Sequence, residues 1–117
     1  MLILTLLKSS VRGRVIILEK LYRLVEQAKS IVVESSNPDR ESLWRAYVAL
    51  EYAILDLKLR HRLEGNPPPK SIKSADLDDA KSMIHRLDLS SGDKKKLLDD
   101  LRSCRDIVKA LMASKLL

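Results

Sequence analysis

The sequence predicts an all-α fold, an up-and-down four-helix bundle within a single domain of residues 1–117. The chain has three glycines and four prolines, so it offers few turns and its elements must be long. It contains no Phe, and a core of Leu, Ile, Val and Ala suits helices better than strands. Apolar residues recur at three- and four-residue steps, which is the spacing of an amphipathic helix.

The first predicted helix runs from about Ser10 to Glu34 and ends where Ser35–Pro38 interrupt the pattern. Its apolar stripe is widened by Leu21, Leu24 and Ile31. The stripe itself consists of Val11, Val15, Leu18, Tyr22, Val25, Ala28 and Val32. Residues 1–9 precede it as an apolar segment, which is too short to span a bilayer. We expect either a helix start or docking strand there, or an exposed surface that drives oligomerisation.

The second predicted helix runs from about Arg40 to Leu63, with Asp39 as its N-cap and Gly65 just past its end. Its apolar residues occupy more than one face, which is typical of a helix with neighbours on several sides. One face carries Leu43, Tyr47, Leu50, Ile54 and Leu57, a second carries Trp44, Val48, Leu55 and Leu59, and between them lie Ala46, Ala49 and Ala53.

Residues 66–73 form the long connection, in which Pro67, Pro68 and Pro69 favour an extended, stiff segment. We interpret it as a rigid crossover between two helical pairs; the alternative is a proline-rich signalling ligand. A short third helix follows from about Ala75 to Leu87, with Ser74 as its cap. Its stripe consists of Leu77, Ala80, Ile84 and Leu87.

The fourth predicted helix runs from about Gly92 to Ser114, and Ser90 with Asp93 resembles a capping box at its start. Early aspartates and late lysines suit the helix dipole. Its apolar residues alternate at four- and three-residue steps, as in the narrow seam of a bundle helix. The seam consists of Leu97, Leu101, Cys104, Val108 and Leu111.

The sequence contains no strong catalytic or ligand-binding motif. It has neither a glycine-rich phosphate loop nor a pair of metal ligands at helical spacing, so we expect no catalytic residue, cofactor or metal. His61 and His85 are expected at the surface, and Cys104 as a buried structural thiol. A single cysteine fits a reducing cytoplasm, and no segment is expected to cross a membrane. The many charges and few glycines would suit a thermophile.

The positive charge of the chain is unevenly distributed. The net charge is +6: residues 1–36 carry six cations and three anions, and residues 91–117 carry seven cations and four anions. If the first and fourth helices are neighbours, these charges could form a face that attracts phosphate backbones. The candidates are Arg12, Arg14, Arg23, Lys94, Lys95, Lys96, Arg102 and Arg105. The alternative is that these side chains merely solvate a helical protein.

Two stretches, Glu19–Ala28 and Leu43–Ile54, resemble the opening helices of HEPN-like bundles, and Leu101–Val108 resembles a later long helix of that superfamily. Active members of that superfamily are metal-independent ribonucleases, in which an Arg and a His separated by four to six residues lie on a late helix at the dimer interface. Arg102 matches the arginine position, but no His follows His85. The resemblance therefore implies a non-catalytic member.

Taken together, these features predict a non-enzymatic helical bundle that works by association with a protein partner. We expect it to self-associate, as a dimer, through the N-terminal apolar segment or the surplus apolar face of the second helix. The alternatives are a nucleic-acid-binding module that uses the basic face of helices one and four, and a degenerate HEPN-type ribonuclease in which Arg102 or Arg105 contacts phosphate.

Overall fold

The computed structural model describes residues 20–65, 67, 72 and 75–115, and this part of the chain contains helices and no strand. The helices pack as a compact bundle, which confirms the predicted fold class. The predicted segment 1–9, the first half of helix one with Arg12 and Arg14, and most of the 66–73 crossover lie outside the described residues. The helices of the described residues are α1 (20–34), α2 (Arg40–His61), α3 (Leu77–His85) and α4 (Lys94–Ser114).

Helix α4 runs antiparallel to α2, with which it shares an extensive interface. Lys115, just after α4, donates a hydrogen bond to Asn37, which precedes α2. Arg102, in the first half of α4, donates to the main-chain oxygen of Gly65 beyond the end of α2, at 2.8 Å. Residue numbers therefore rise along α4 as they fall along α2. Helix α1 packs against α2, and α3 packs against α4.

The core is built from the seams that the sequence predicts on α2 and α4. All five residues of the α4 seam are buried, and Leu101, Cys104 and Val108 are fully so. On α1 the prediction is wrong at one position: Tyr22 is exposed, and Leu21 takes the place in the core. Residues 21, 25, 28 and 32 follow the regular four-three-four spacing, whereas Tyr22 is turned about 100° away from Leu21.

Aspartates cap both α3 and α4, which corrects the predicted starts. Asp76 accepts a hydrogen bond from the Asp79 amide at 2.9 Å, and Asp79 accepts one from the Asp76 amide at 3.1 Å. This reciprocal capping box starts α3 at Leu77 instead of at Ala75 after Ser74. Asp93 accepts from the Lys96 amide at 3.0 Å, so Asp93 itself, and not Ser90, caps α4.

Helix α2 begins as predicted and ends earlier than predicted. Asp39 accepts a hydrogen bond from the Ser42 amide at 2.8 Å, which confirms it as the N-cap. The helix stops at His61 because Arg62 adopts the left-handed conformation, with φ of 52°. The Arg62 and Leu63 amides both donate to the Lys58 carbonyl, as in a Schellman-type end.

Replacing Arg62 by glycine is expected to raise the free energy of unfolding by about 0.5–1 kcal/mol, because a Cβ is disfavoured at positive φ. Chemical denaturation followed by circular dichroism measures the change. Gly65→Ala is the matched control: Gly65 has φ of 102° with open space around it, so only backbone strain should act and stability should fall. A loss of stability in Arg62→Gly would contradict the expectation.

Candidate protein-interaction surface

A line of apolar side chains runs along the side of α2 that faces away from the core. Within the described residues, five large apolar side chains are at least half exposed, and four of them lie on α2: Trp44 at 53%, Tyr52 at 59%, Leu55 at 50% and Leu59 at 73%. With the half-buried Val48, they are spaced by four, four, three and four residues. At 100° per residue they fall within about 80° of the helix circumference. These five residues are called the outer face of α2 below.

The opposite side of α2 is equally apolar and fully used by the bundle. Leu43, Leu50 and Leu57 are buried there among Ala46 and Ala53, which have no exposed surface. The alanines leave room for close packing of the neighbouring helices. Because the bundle satisfies one side of α2, the outer face is surplus apolar surface on a folded chain.

Trp44 is held in place by the structure around it. Its ring stacks on Tyr47, with centroids 5.6 Å apart and planes 8° from parallel. One depression beside it, of about 570 Å³, is lined by Arg40, Glu41, Trp44 and Met112. A second, of about 210 Å³, lies between α1 and α2 and includes Leu24, Gln27, Trp44, Arg45, Val48, Ala49 and Tyr52. The N-terminal end of the outer face is therefore concave on both sides of the indole.

Charged residues flank the outer face. Glu41 and Arg45 form an exposed ion pair at 3.0 Å at its N-terminal end, and Arg60 pairs with Asp56 at 2.9 Å near its C-terminal end. An apolar centre with a polar rim is the usual anatomy of a protein–protein interface.

A polar cluster connects α2 to α4 at the edge of the outer face. The Arg105 guanidinium binds Glu51 at 2.8 Å and Asp106 at 3.1 Å. Burial acts to lower the pKa of Arg105, but its hydrogen bonds to the two carboxylates outweigh burial and raise that pKa. Burial, followed by the charge of Glu51, raises the pKa of the neighbouring Tyr47 hydroxyl. The sequence analysis missed this cluster, because Glu51 and Arg105 are 54 residues apart.

The predicted basic residues do not all present free cations. Arg102 binds the Gly65 carbonyl and lies 3.6 Å from Asp99, and Arg105 belongs to the cluster just described. Arg23 is exposed on α1 and has an interaction of its own. Lys94, Lys95 and Lys96 form the first turn of α4, where Lys96 lies 3.8 Å from Asp100.

Of the early aspartates of α4, Asp93 lies at the positive end of the helix dipole as the N-cap, and the first helical turn is basic. That turn contains no acidic residue: Asp93 is the cap, and Asp99 and Asp100 come a turn later. Three lysines therefore lie at the positive end of the helix dipole, an arrangement that costs stability.

Both histidines are exposed, as the sequence predicts, His61 at the end of α2 and His85 at the end of α3. His85 lines a cleft of about 410 Å³ between α1 and the α3–α4 connection, together with Tyr22, Glu26 and Lys29. Among the described residues no group of His, Cys, Asp and Glu side chains is arranged to hold a metal ion. None of the helices in the described ranges is long and apolar enough to cross a bilayer.

Cys104 is a buried free thiol in the α4 seam. Burial raises its pKa from the ordinary value of 9.0 to about 12. The thiolate is the reactive form of cysteine, so the Cys104 thiol is inert at neutral pH.

Cys104 is expected to make the folded chain less stable at alkaline pH. The unfolded thiol ionises near pH 9 while the folded thiol keeps its proton to about pH 12. This contribution to stability is therefore complete below pH 9 and is lost as the pH rises from 9 towards 12. Urea unfolding below pH 9 and at about pH 10.5 should show a larger alkaline loss for the natural chain than for Cys104→Ala. Equal alkaline losses of stability in the natural chain and in Cys104→Ala would contradict the expectation that burial raises the pKa of Cys104.

The fold and its surface define a small all-α bundle whose second helix is apolar on two sides. No family model, no curated protein and no solved structure matches the chain.

Proposed function

We propose that this protein is a non-enzymatic interaction module that self-associates through the outer face of α2. The observation that carries the proposal is the line of Trp44, Tyr52, Leu55 and Leu59, each at least half exposed on one side of a single helix. A contiguous apolar surface rimmed by charges marks an interaction site more often than a solvated surface.

The size of this surface supports association between proteins. If a large side chain has ~200 Å² of surface, the outer face presents on the order of 500 Å² per chain. A standard interface buries about 800 Å² per partner, and the rim residues Glu41, Arg45 and Lys58 would contribute the remainder. Tryptophan and tyrosine are also the residues most enriched at the centres of interfaces.

Trp44→Ala is expected to raise the dissociation constant of the self-associated form about 30-fold or more, because truncating a tryptophan that anchors an interface typically costs at least 2 kcal/mol of binding free energy. Sedimentation velocity over a concentration series measures the shift. Lys95→Gln is the matched control, since Lys95 is exposed on α4, away from the outer face. Both variants should keep the helical content of the natural chain.

A monomeric natural chain at high concentration would refute the proposal. So would a monomer whose Trp44 fluorescence resists quenching by acrylamide, because the outer face would then be covered within the chain. A dimer that Trp44→Ala leaves intact would place the interface elsewhere.

The second candidate function is nucleic-acid binding, and the three lysines in the first turn of α4 favour it. Lys94, Lys95 and Lys96 lie where the helix dipole disfavours cations, and their side chains could neutralise phosphates. Titration of labelled RNA and duplex DNA at two salt concentrations tests it. Binding that weakens steeply with salt and is reduced by Lys95→Gln would support this function, and no binding at low salt would exclude it.

A ribonuclease role has less support. The guanidinium groups of Arg102 and Arg105 bind a main-chain carbonyl and carboxylates of the same chain, so neither is presented to a phosphate. The resemblance to HEPN-like bundles and the thermophilic origin stay predictions. We place the module in the cytoplasm on the ground that its single cysteine is a free, buried thiol.

A further inference from the structure

We infer that two copies of this chain pair through their outer faces with the two α2 helices antiparallel and related by a two-fold axis near Tyr52. The inference rests on the proposed function and specifies how the partner lies. Its first support is the spacing of the outer face. Trp44 and Leu59 are equally far from the point between residues 51 and 52, and so are Val48 and Leu55. Antiparallel pairing therefore places Trp44 opposite Leu59 and Val48 opposite Leu55.

The shape of the two ends distinguishes antiparallel from parallel pairing. Leu59, at the C-terminal end, is the most exposed large apolar side chain among the described residues. The depressions lie at the other end, on either side of Trp44. An antiparallel partner brings its Leu59 to these depressions, so that the protruding end fills the concave one. A parallel partner would set Leu59 against Leu59 and leave the depressions beside Trp44 empty.

The charges at the two ends favour the same arrangement. The last turn and cap of α2 carry three cations, Lys58, Arg60 and Arg62. The N-terminal end of α2 carries Asp39 as the N-cap, then Arg40 and Glu41, and Glu41 pairs with Arg45. A parallel pair would bring two basic ends together, at a cost in free energy. Antiparallel pairing sets each basic end beside the partner's first turn and opposes the two helix dipoles.

Such a pair is closed. In a two-fold interface both copies use the same surface, so the outer face of each is covered once and no further copy is recruited. The inference therefore specifies a dimer and excludes a filament built on this face.

Cysteine cross-linking in solution tests the orientation without removing any residue of the outer face. Glu41 and Arg62 lie beyond its two ends, again equally far from its centre, and both are exposed. In an antiparallel pair Glu41 of one copy lies near Arg62 of the other, and the two Glu41 residues are about 30 Å apart. We would prepare the single variants Glu41→Cys and Arg62→Cys and treat each alone and their mixture with a short flexible bismaleimide.

The expected result is a cross-linked dimer in the mixture and little in either variant alone. Ser82→Cys, exposed on α3, is the matched control and should stay uncross-linked, and the buried Cys104 should not react unless the chain unfolds. Strong cross-linking of each single variant with itself would overturn the antiparallel inference and leave self-association through α2 standing. Dimers in sedimentation with no cross-link in any sample would overturn both, because the outer faces would then be apart. Monomers in sedimentation would likewise refute both.

Discussion

Replacing Arg105 by methionine is expected to lower the free energy of unfolding by about 3 kcal/mol. Its guanidinium holds together Glu51 on α2 and Asp106 on α4, and the side chain of Asp106 is nearly inaccessible to water. Methionine fills most of the volume of the arginine stem but supplies no charge. Asp106 would then keep its negative charge in a buried place without the cation beside it, and such a charge is costly.

Urea denaturation of the natural chain and three variants would measure this effect. Arg45→Met removes an arginine from an exposed pair with Glu41 and should cost no more than about 0.5 kcal/mol. The loss of stability in Arg105→Lys should lie between the losses in Arg45→Met and Arg105→Met, because lysine keeps the charge but lacks the planar guanidinium that binds two carboxylates. Adding Asp106→Asn to Arg105→Met should restore part of the loss, since it removes the buried negative charge that has lost the Arg105 cation. Equal costs for Arg105→Met and Arg45→Met would mean that the cluster does not stabilise the α2–α4 interface.

Leu101→Ala is expected to cost about 3 kcal/mol of stability. Leu101 is fully buried at the centre of the α4 seam, and a leucine-to-alanine change there removes apolar contacts and leaves a cavity. The loss should appear as a lower denaturation midpoint with an unchanged slope. The chain should still fold, because the rest of the seam remains.

Leu59→Ala is the matched control for this cavity, because the same atoms are removed from a side chain on the outer face of α2. At concentrations where the chain is monomeric, its stability should change by no more than about 0.5 kcal/mol, while its dissociation constant rises. Comparing Leu101→Ala with Leu59→Ala thus separates the contribution of the core to stability from the contribution of the outer face to self-association. A large loss of monomer stability in Leu59→Ala would show that Leu59 is covered within the chain, and a negligible loss in Leu101→Ala would contradict the core described above.

Local sequence patterns predict much of the secondary structure and the apolar seam of α4. Asp39 correctly predicts the start of α2. The four- and three-residue spacing of Leu97, Leu101, Cys104 and Val108 correctly predicts the side of α4 that faces the core. The spacing of apolar residues predicts the buried side of a helix when those residues lie on one side only. The predicted starts of α3 and α4, at Ala75 and Gly92, each come two residues too early. Several neighbouring Ser and Asp residues could cap either helix, and only the hydrogen bonds identify Asp76 and Asp93 as the caps.

Which side of α2 is buried in the core depends on how the helices pack. Apolar residues surround this helix, so their period cannot distinguish inside from outside. The small Ala46, Ala49 and Ala53 side chains permit close packing and take the inner side, which leaves Trp44 and Leu59 facing outward. Tyr52 also belongs to the outer face of α2 and was not predicted there, although it lies four residues after Val48 and three before Leu55. Contacts between residues far apart in the chain, such as Arg105 with Glu51, depend on how helices pack, and helix packing is not written in the local spacing of either helix.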